Sequence, residues 1–336
     1  MIKEAIGRLS ARKNLTYAEA YDAMDEIMSG KASAAQTSAY LTAMAMKNET
    51  PEELTASASA MRAHCVKLLQ GMDVLEIVGT GGSTNTFNVS TTAALVVAAG
   101  GVKVAKHGNR MASGKCGAAD VLEALGVNIM LPAAKSVKLL DTAGICFLFA
   151  QNYHIAMKYV VPARRELGIR TLFDVLGPLA DPAGANMGVM GVTDEKLLVP
   201  LARVLSDIGV KSAMVECAED GADEISASAP TRICEAKGGK VRSFAIAPEQ
   251  FGMKRCKSYE TDGGTPMRNA VTVRDILAGR ERGPKRDAVL LNAGAMFAVA
   301  GRAKTIAEGV RLAAKIVDDG AAADKLEEFV ARSRGK

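Results

Sequence analysis

The chain has 336 residues, 49% hydrophobic and 24% charged, which supplies one large or two modest cores and excludes an intrinsically disordered polymer. Aromatics make up 4% with no Trp, so a stacking platform for single-stranded bases would be thinly supplied. A net charge of +5 fits an anionic substrate without selecting one. The six cysteines, Cys65, Cys116, Cys146, Cys217, Cys234 and Cys256, form no CxxC pair, and only three histidines could join them. A structural zinc site is therefore not expected, and scattered single thiols fit a reducing compartment. The amino-terminal MIKEAIGRLSARKN lacks the apolar run of a signal peptide, and the longest weakly charged stretch, 78–102, is broken by glycines. These features predict a cytoplasmic protein with no membrane span.

Residues 1–70 read as helices with clear start signals. Thr16…Glu19, Ser33…Gln36 and Thr50…Glu53 each fit a capping box, and Pro51 sits where a helix tolerates a missing N–H. Ala23, Met24, Ile27, Leu41, Met44 and Met46 follow, so a small helical unit for packing or association is expected. At 74–78 the pattern changes to a short apolar run ended by glycines, a buried strand. A helix over 90–99, a strand over 102–105, a helix over 118–125 and a strand over 146–149 continue the alternation. Helical segments at 153–167 and 171–176 interrupt it and can return to the first helices. Strands resume at 187–192 and 212–216 around a helix over 196–208. Segments 233–236 and 241–244, joined through Gly238-Gly239, predict an antiparallel hairpin, and from about 287 the chain is helical to its end. The alternation predicts an α/β fold with a mainly parallel central sheet and C-terminal helices.

Three segments carry chemistry on this framework. Gly79-Thr-Gly-Gly82 follows the first strand, where glycines let backbone amides approach an anion. It matches neither a Walker loop nor GxGxxG, and alone it is better read as a tight turn. Asn88-Val-Ser-Thr91 opens the next helix, whose free amides suit phosphate, with Ser90 and Thr91 adding hydroxyls. Ser90 as a plain helix cap is the simpler alternative, but beside the glycine turn the anion site comes first. Lys106-His-Gly-Asn-Arg110 ends the second strand, where open α/β sheets place ligands. By itself it is a solvated basic turn; in one layer with the other two it can line a common pocket.

In this order and near these spacings, GTGG, NVST and KHGNR resemble the anthranilate phosphoribosyltransferase family. The likeness continues through His154-Ile-Ala-Met-Lys158, Pro162-Ala-Arg-Arg-Glu-Leu-Gly-Ile-Arg-Thr171, Phe173-Asp-Val-Leu-Gly-Pro-Leu179, Asp220-Gly-Ala-Asp-Glu-Ile-Ser226 and Asp287-Ala-Val-Leu-Leu-Asn-Ala-Gly294. The resemblance implies a small all-helical domain, 1–70 joined by about 152–182, plus a larger α/β domain of 71–151 and 183–336, with substrates between them. It also implies a homodimer through the helical domain. The implied reaction moves the phosphoribosyl group of 5-phosphoribosyl 1-diphosphate (PRPP) to anthranilate, releasing pyrophosphate, in tryptophan biosynthesis.

Residue by residue, Gly79, Gly82, Ser83, Thr86, Asn88, Val89, Ser90, Thr91, Lys106 and Ser113 match donor-binding positions. Gly79, His107, Asn109 and Arg164 match the anthranilate pocket, where Arg164 can pair with the substrate carboxylate. Ser90, Asp223 and Glu224 match magnesium ligands, two ions per subunit; without the rest, Asp223-Glu224 would be an acidic surface turn. Lys106 is implied as an electrostatic group for the departing diphosphate, and no acid or base is assigned because a neutral aromatic amine can attack directly. The chain departs from the family pattern at Ser83-Thr84-Asn85, Ser113-Gly114, Ala118, Asp174 and Asp181, which predicts weakened or reorganised metal and phosphate contacts. Two alternatives remain: a same-fold transferase or phosphorylase with another acceptor, and a non-catalytic nucleic-acid-binding homologue. The second would use Lys254, Arg255 and Lys257, or Arg280, Arg282, Lys285 and Arg286; these interrupted runs read as a solvated face, and nucleic acid is not the expected partner.

Overall fold

The computed structural model describes residues 1–65, 71–81, 85–111 and 115–335. Four helices come first: α1 (Ile2–Ser10), α2 (Tyr17–Met28), α3 (Ala34–Lys47) and α4 (Pro51–Ala63). The three reciprocal capping boxes at Thr16, Ser33 and Thr50 all form, with Pro51 opening α4. Glu53 also works beyond its own helix. Its buried carboxylate accepts from Leu15 N at 2.8 Å, Thr50 N at 2.8 Å and the Lys47 ammonium at 2.7 Å. One carboxylate thus pins the start of α4, the end of α3 and the approach to α2.

The chain then runs β1 (Leu75–Gly79), α5 (Val89–Ala99), β2 (Val104–Gly108), α6 (Ala118–Leu125), α7 (Ala133–Ala143) and β3 (Ile145–Phe149). Next come α8 (Ala150–Tyr153), a 3₁₀ turn (Ile155–Tyr159), α9 (Val161–Leu167), α10 (Phe173–Leu179), β4 (Met187–Gly191), α11 (Leu198–Asp207) and β5 (Ser212–Ala218). The hairpin β6 (Thr231–Lys237) and β7 (Lys240–Ile246) precedes α12 (Pro266–Leu277), α13 (Pro284–Val299), α14 (Ile306–Asp318) and α15 (Ala321–Ser333). Among the described residues no helix is long and apolar enough to cross a membrane.

One seven-stranded sheet has the order β3-β2-β1-β4-β5-β6-β7. The first five strands are parallel, and β6 and β7 add antiparallel neighbours at one edge. Alternation along β5 divides two cores: Met214 packs with α5, α13 and α14, whereas Ala213, Val215 and Cys217 pack with α11 and the small helices. Ala156, Val160, Leu172, Phe173 and Leu176 join that second core.

Several elements differ from their sequence outlines. Lys106 and His107 do not follow β2 but lie inside it, paired with Phe147 and Leu148 of β3. The 153–167 segment is broken into α8, a 3₁₀ turn and α9, with Pro162 fixing the new start. α7 and α12 have no counterpart in the sequence reading. α7 buries Ser136, Leu139, Leu140 and Ala143 at helical spacing, and the lysines between them dilute that stripe.

Substituting Glu53→Gln leaves the Lys47 ammonium buried without its counter-charge. The expected loss is about 3 kcal/mol of unfolding free energy, read from urea denaturation; Ser33→Ala, which removes only an exposed cap, should cost about 1 kcal/mol.

Candidate active site

The strand order reverses between β1 and β4, so the crevice for a ligand opens where these two strands end. Both end in glycine, Gly79 and Gly191, and Thr80 N donates to Gly191 O at 2.9 Å. Asp223, from the turn after β5, sits directly on this pair. A Cβ on Gly79 would lie 1.9 Å from Asp223 Oδ2, and one on Gly191 would lie 1.7 Å from the Asp223 carbonyl oxygen. Gly81 N donates to Asp223 Oδ2 at 2.9 Å, so one amide of the glycine turn holds a carboxylate of this same chain.

Glu224 is buried and lines one cavity with Thr86. Beneath it on β5, the Glu216 carboxyl has no partner at Oε2 among the described residues. Burial pushes Glu224 well above the usual carboxylate range, and Asp223 adds to the rise. Burial also raises Asp223, and pushes Glu216 up to about 8. Carboxyl oxygens such as those of Asp223 and Glu224 are the ligand type a hard divalent cation takes. No cage of three or more His, Cys, Asp or Glu ligands exists among the described residues, so hydroxyls, water and substrate oxygens must complete any coordination.

On the opposite side, α5 begins without a side-chain cap. Asn88 is engaged elsewhere: it donates to Cys116 O at 3.2 Å and accepts from Asn269 Nδ2 at 2.9 Å. Val89 and Thr91 are buried, whereas Ser90 is half-buried in the first turn. Lys106 is buried too, its ammonium donating to Ile77 O at 2.7 Å and His107 O at 3.2 Å. Burial pushes it down to about 8, against the attraction of Glu76 and Asp223. Gly82, Ser83, Ser113 and Gly114 lie outside the described residues.

The residues matched to anthranilate make separate contacts. The His107 ring is buried, with Nε2 3.1 Å from His154 Nε2. Asn109 is exposed, its side-chain oxygen accepting from Arg110 N. Arg164 on α9 donates to Asp174 at 2.7 Å, and its guanidinium lies 5.8 Å from the centre of the Phe173 ring. That contact fixes one edge of the guanidinium on a side chain 30% exposed, and among the described residues its other N–H groups stay available to a planar carboxylate. Sequence reasoning missed Gly191 and Asn269. A glycine closing a strand was a readable signal for the first; Asn269 has no local signature.

The two strand-end glycines should not tolerate a methyl group. Gly191→Ala is expected to cost about 1–3 kcal/mol by displacing the Asp223 backbone and to weaken metal and donor binding together. Gly188→Ala on the same strand, where the new Cβ meets nothing closer than 4.0 Å, is the control. Thermal unfolding with and without ligand compares the two.

Two family models match the chain: the glycosyl transferase family helical bundle domain over residues 3–65 and the glycosyl transferase family a/b domain over 71–323. An anthranilate phosphoribosyltransferase from Methanobrevibacter smithii is 58% identical over 331 residues, covering 98% of each chain. The crystal structure of the Thermus thermophilus anthranilate phosphoribosyltransferase superposes with a TM-score of 0.93 at 42% identity, covering 98% of this chain and 99% of that one. The Saccharomyces cerevisiae enzyme is 26% identical, covering 100% of this chain and 98% of its own, with TM-scores of 0.91 in complex with PRPP and Mg and 0.90 with 4-fluoroanthranilate. With these likenesses running the length of both the helical and the α/β parts, the chain belongs to the anthranilate phosphoribosyltransferase family.

Proposed function

We propose that this chain transfers the phosphoribosyl group of PRPP to the amino group of anthranilate, releasing pyrophosphate, in tryptophan biosynthesis. The observation that carries the reading is the seating of the acidic Asp223-Glu224 turn on the glycine-ended strands β1 and β4, where the strand order reverses. In the transfer, the bond from ribose C1 to the diphosphate breaks, C1–N forms, and the amine releases one proton. Negative charge gathers on the leaving diphosphate and positive charge on the sugar, so the task is electrostatic.

The uncapped first turn of α5, with Ser90 and Thr91, holds phosphate oxygens alongside Gly79, Gly82, Ser83, Thr86 and Ser113. Asn88 and Val89 set the direction of that turn. Buried Lys106 supplies a fixed positive potential behind the strand ends. Ser90, Asp223 and Glu224 would hold magnesium, two ions per subunit, which would supply positive charge for the diphosphate. Arg164 takes the anthranilate carboxylate, with Gly79, Asn109 and the backbone of His107 lining the pocket. His107 and His154 face each other through their Nε2 atoms.

The same reading includes a homodimer through the helical part. Met46 on α3, Ile155 and Tyr159 in the 3₁₀ turn, and Val161 on α9 are all exposed, 43–67%, a larger apolar display than one isolated subunit needs. A cytoplasmic location accords with cysteines that are all free. Within the basic runs, Arg255 pairs with Glu249, Arg280 with Asp275, and Arg282 and Arg286 with Asp318.

Anthranilate fluorescence should fall on incubation with PRPP and Mg²⁺, and chelation should stop it. Arg164→Ala should raise the anthranilate KM by about 10- to 100-fold while the PRPP KM stays within about twofold; equal shifts in both would reject its role. Combining Met46→Glu with Val161→Glu should halve the mass seen by light scattering, and an unchanged mass would place the interface elsewhere.

A further inference from the structure

A chain of polar side chains, half-buried at Cys65 and buried beyond it, runs from the helical part into the sheet. Cys65, just past α4, has its Sγ 2.9 Å from His154 Nδ1. His154 Nε2 is 3.1 Å from His107 Nε2 on β2. His107 Nδ1 faces Glu76 Oε1 on β1 at 3.7 Å, an approach rather than a bond, and neither atom has another partner among the described residues. The sequence reading gave Cys65 no role, and the mechanism above uses none of its chemistry.

Two proton arrangements satisfy the central His–His contact, and the thiol selects between them. A neutral imidazole carries one N–H, so fixing one nitrogen fixes the other. The single S–H proton has two acceptors in reach, His154 Nδ1 at 2.9 Å and Ala180 O at 3.8 Å, and the distances favour the imidazole. We propose that Cys65 is a positioning residue: its thiol donates to His154 Nδ1, fixing His154 as the Nε2–H tautomer and, through it, His107 as the Nδ1–H tautomer.

The protonation states agree. Burial pushes the Cys65 thiol up to about 12, so it keeps its proton, and pushes His154 down to about 4 and His107 well below its usual value, so both rings are neutral.

The consequence falls on the acceptor half of the site. His107 lies two residues before Asn109, and His154 starts the 3₁₀ turn that leads into α9 and Arg164. The His107–His154 bond therefore ties together the two segments matched to anthranilate, and Cys65 sets its polarity. This consequence rests on the acceptor assignment made above; the tautomers themselves do not.

The test is long-range ¹H–¹⁵N correlation on the full-length, histidine-labelled protein at neutral pH, where only three histidines give signals. Expected are two neutral rings of opposite tautomer, His154 protonated on Nε2 and His107 on Nδ1, assigned with His154→Gln. Cys65→Ala should give tautomer averaging at His154, and Cys65→Ser, which restores a donor, should return the parent pattern. In steady-state assays Cys65→Ala should raise the anthranilate KM about two- to tenfold, the equivalent of one neutral hydrogen bond, with the PRPP KM unchanged and Cys65→Ser restored. Reversed tautomers or an imidazolium–thiolate signature in the parent would overturn the proposal, as would a parent-like pattern in Cys65→Ala. Should Cys65→Ala not fold, the parent and Cys65→Ser spectra still decide the polarity. The expected tautomers without anthranilate turnover would uphold the chain and sink only the acceptor assignment.

Discussion

The seating of Asp223 on two bare strand ends is the contact from which the rest of the site takes its position. A peptide turn can approach a parallel sheet this closely only where no Cβ intervenes, and Gly79 and Gly191 remove both obstacles at the point where the strand order reverses. That approach brings the Asp223-Glu224 turn to the glycine loop through the Gly81 amide and places Glu224 in one cavity with Thr86. Glu216 below and Lys106 beside them then follow from strand register rather than from separate contacts. A local packing requirement thus becomes an electrostatic arrangement.

The acceptor side is organised on another principle. Arg164 is held by Asp174, and Asp174 also accepts from Thr171 N at 2.7 Å, so one carboxylate fixes both the start of α10 and the guanidinium. Asp181, the other aspartate of this stretch, instead accepts from Ala183 N and Ala185 N and serves the turn into β4. The two carboxylates therefore have different consequences. Asp174 places negative charge against the residue assigned to the anthranilate carboxylate, whereas the charge of Asp181 is spent on backbone amides. Arg62 crosses from α4 to Leu179 O and Ile208 O, so the end of α10 is tied to the helical part as well.

Local signals were legible wherever the physics was local. The capping boxes at Thr16, Ser33 and Thr50 need only four consecutive residues, and all three form. The Gly238-Gly239 hairpin likewise needs only its turn, since both glycines adopt positive φ. α7 was hidden because its apolar stripe is thin and its flanking Pro132 and Gly144 read as loop residues. Lys106 and His107 read as a basic turn because polar residues inside a parallel strand become explicable only when buried partners are known. For Lys106 those partners are two backbone carbonyls, and for His107 a histidine from a distant segment. The family motifs marked where chemistry sits, but not that Gly81 is engaged by Asp223 or that Asn88 is held by Asn269.

The charges in the crevice point to the form of ligand it suits. Buried carboxyl groups whose acidity is weakened by burial, and a buried ammonium whose proton is loosened by the same burial, are each unfavourable in isolation. A lone anion would relieve the lysine and the amino terminus of α5 while aggravating the carboxylates. A lone cation would do the reverse. A diphosphate carrying its own metal presents opposite charges a few ångströms apart and relieves both sides together. Strand-end packing, rather than a preformed metal cage among the described residues, sets this arrangement of charge. This also explains why so few charged side chains are needed. The fold supplies the spacing, and the ligand completes the charge balance.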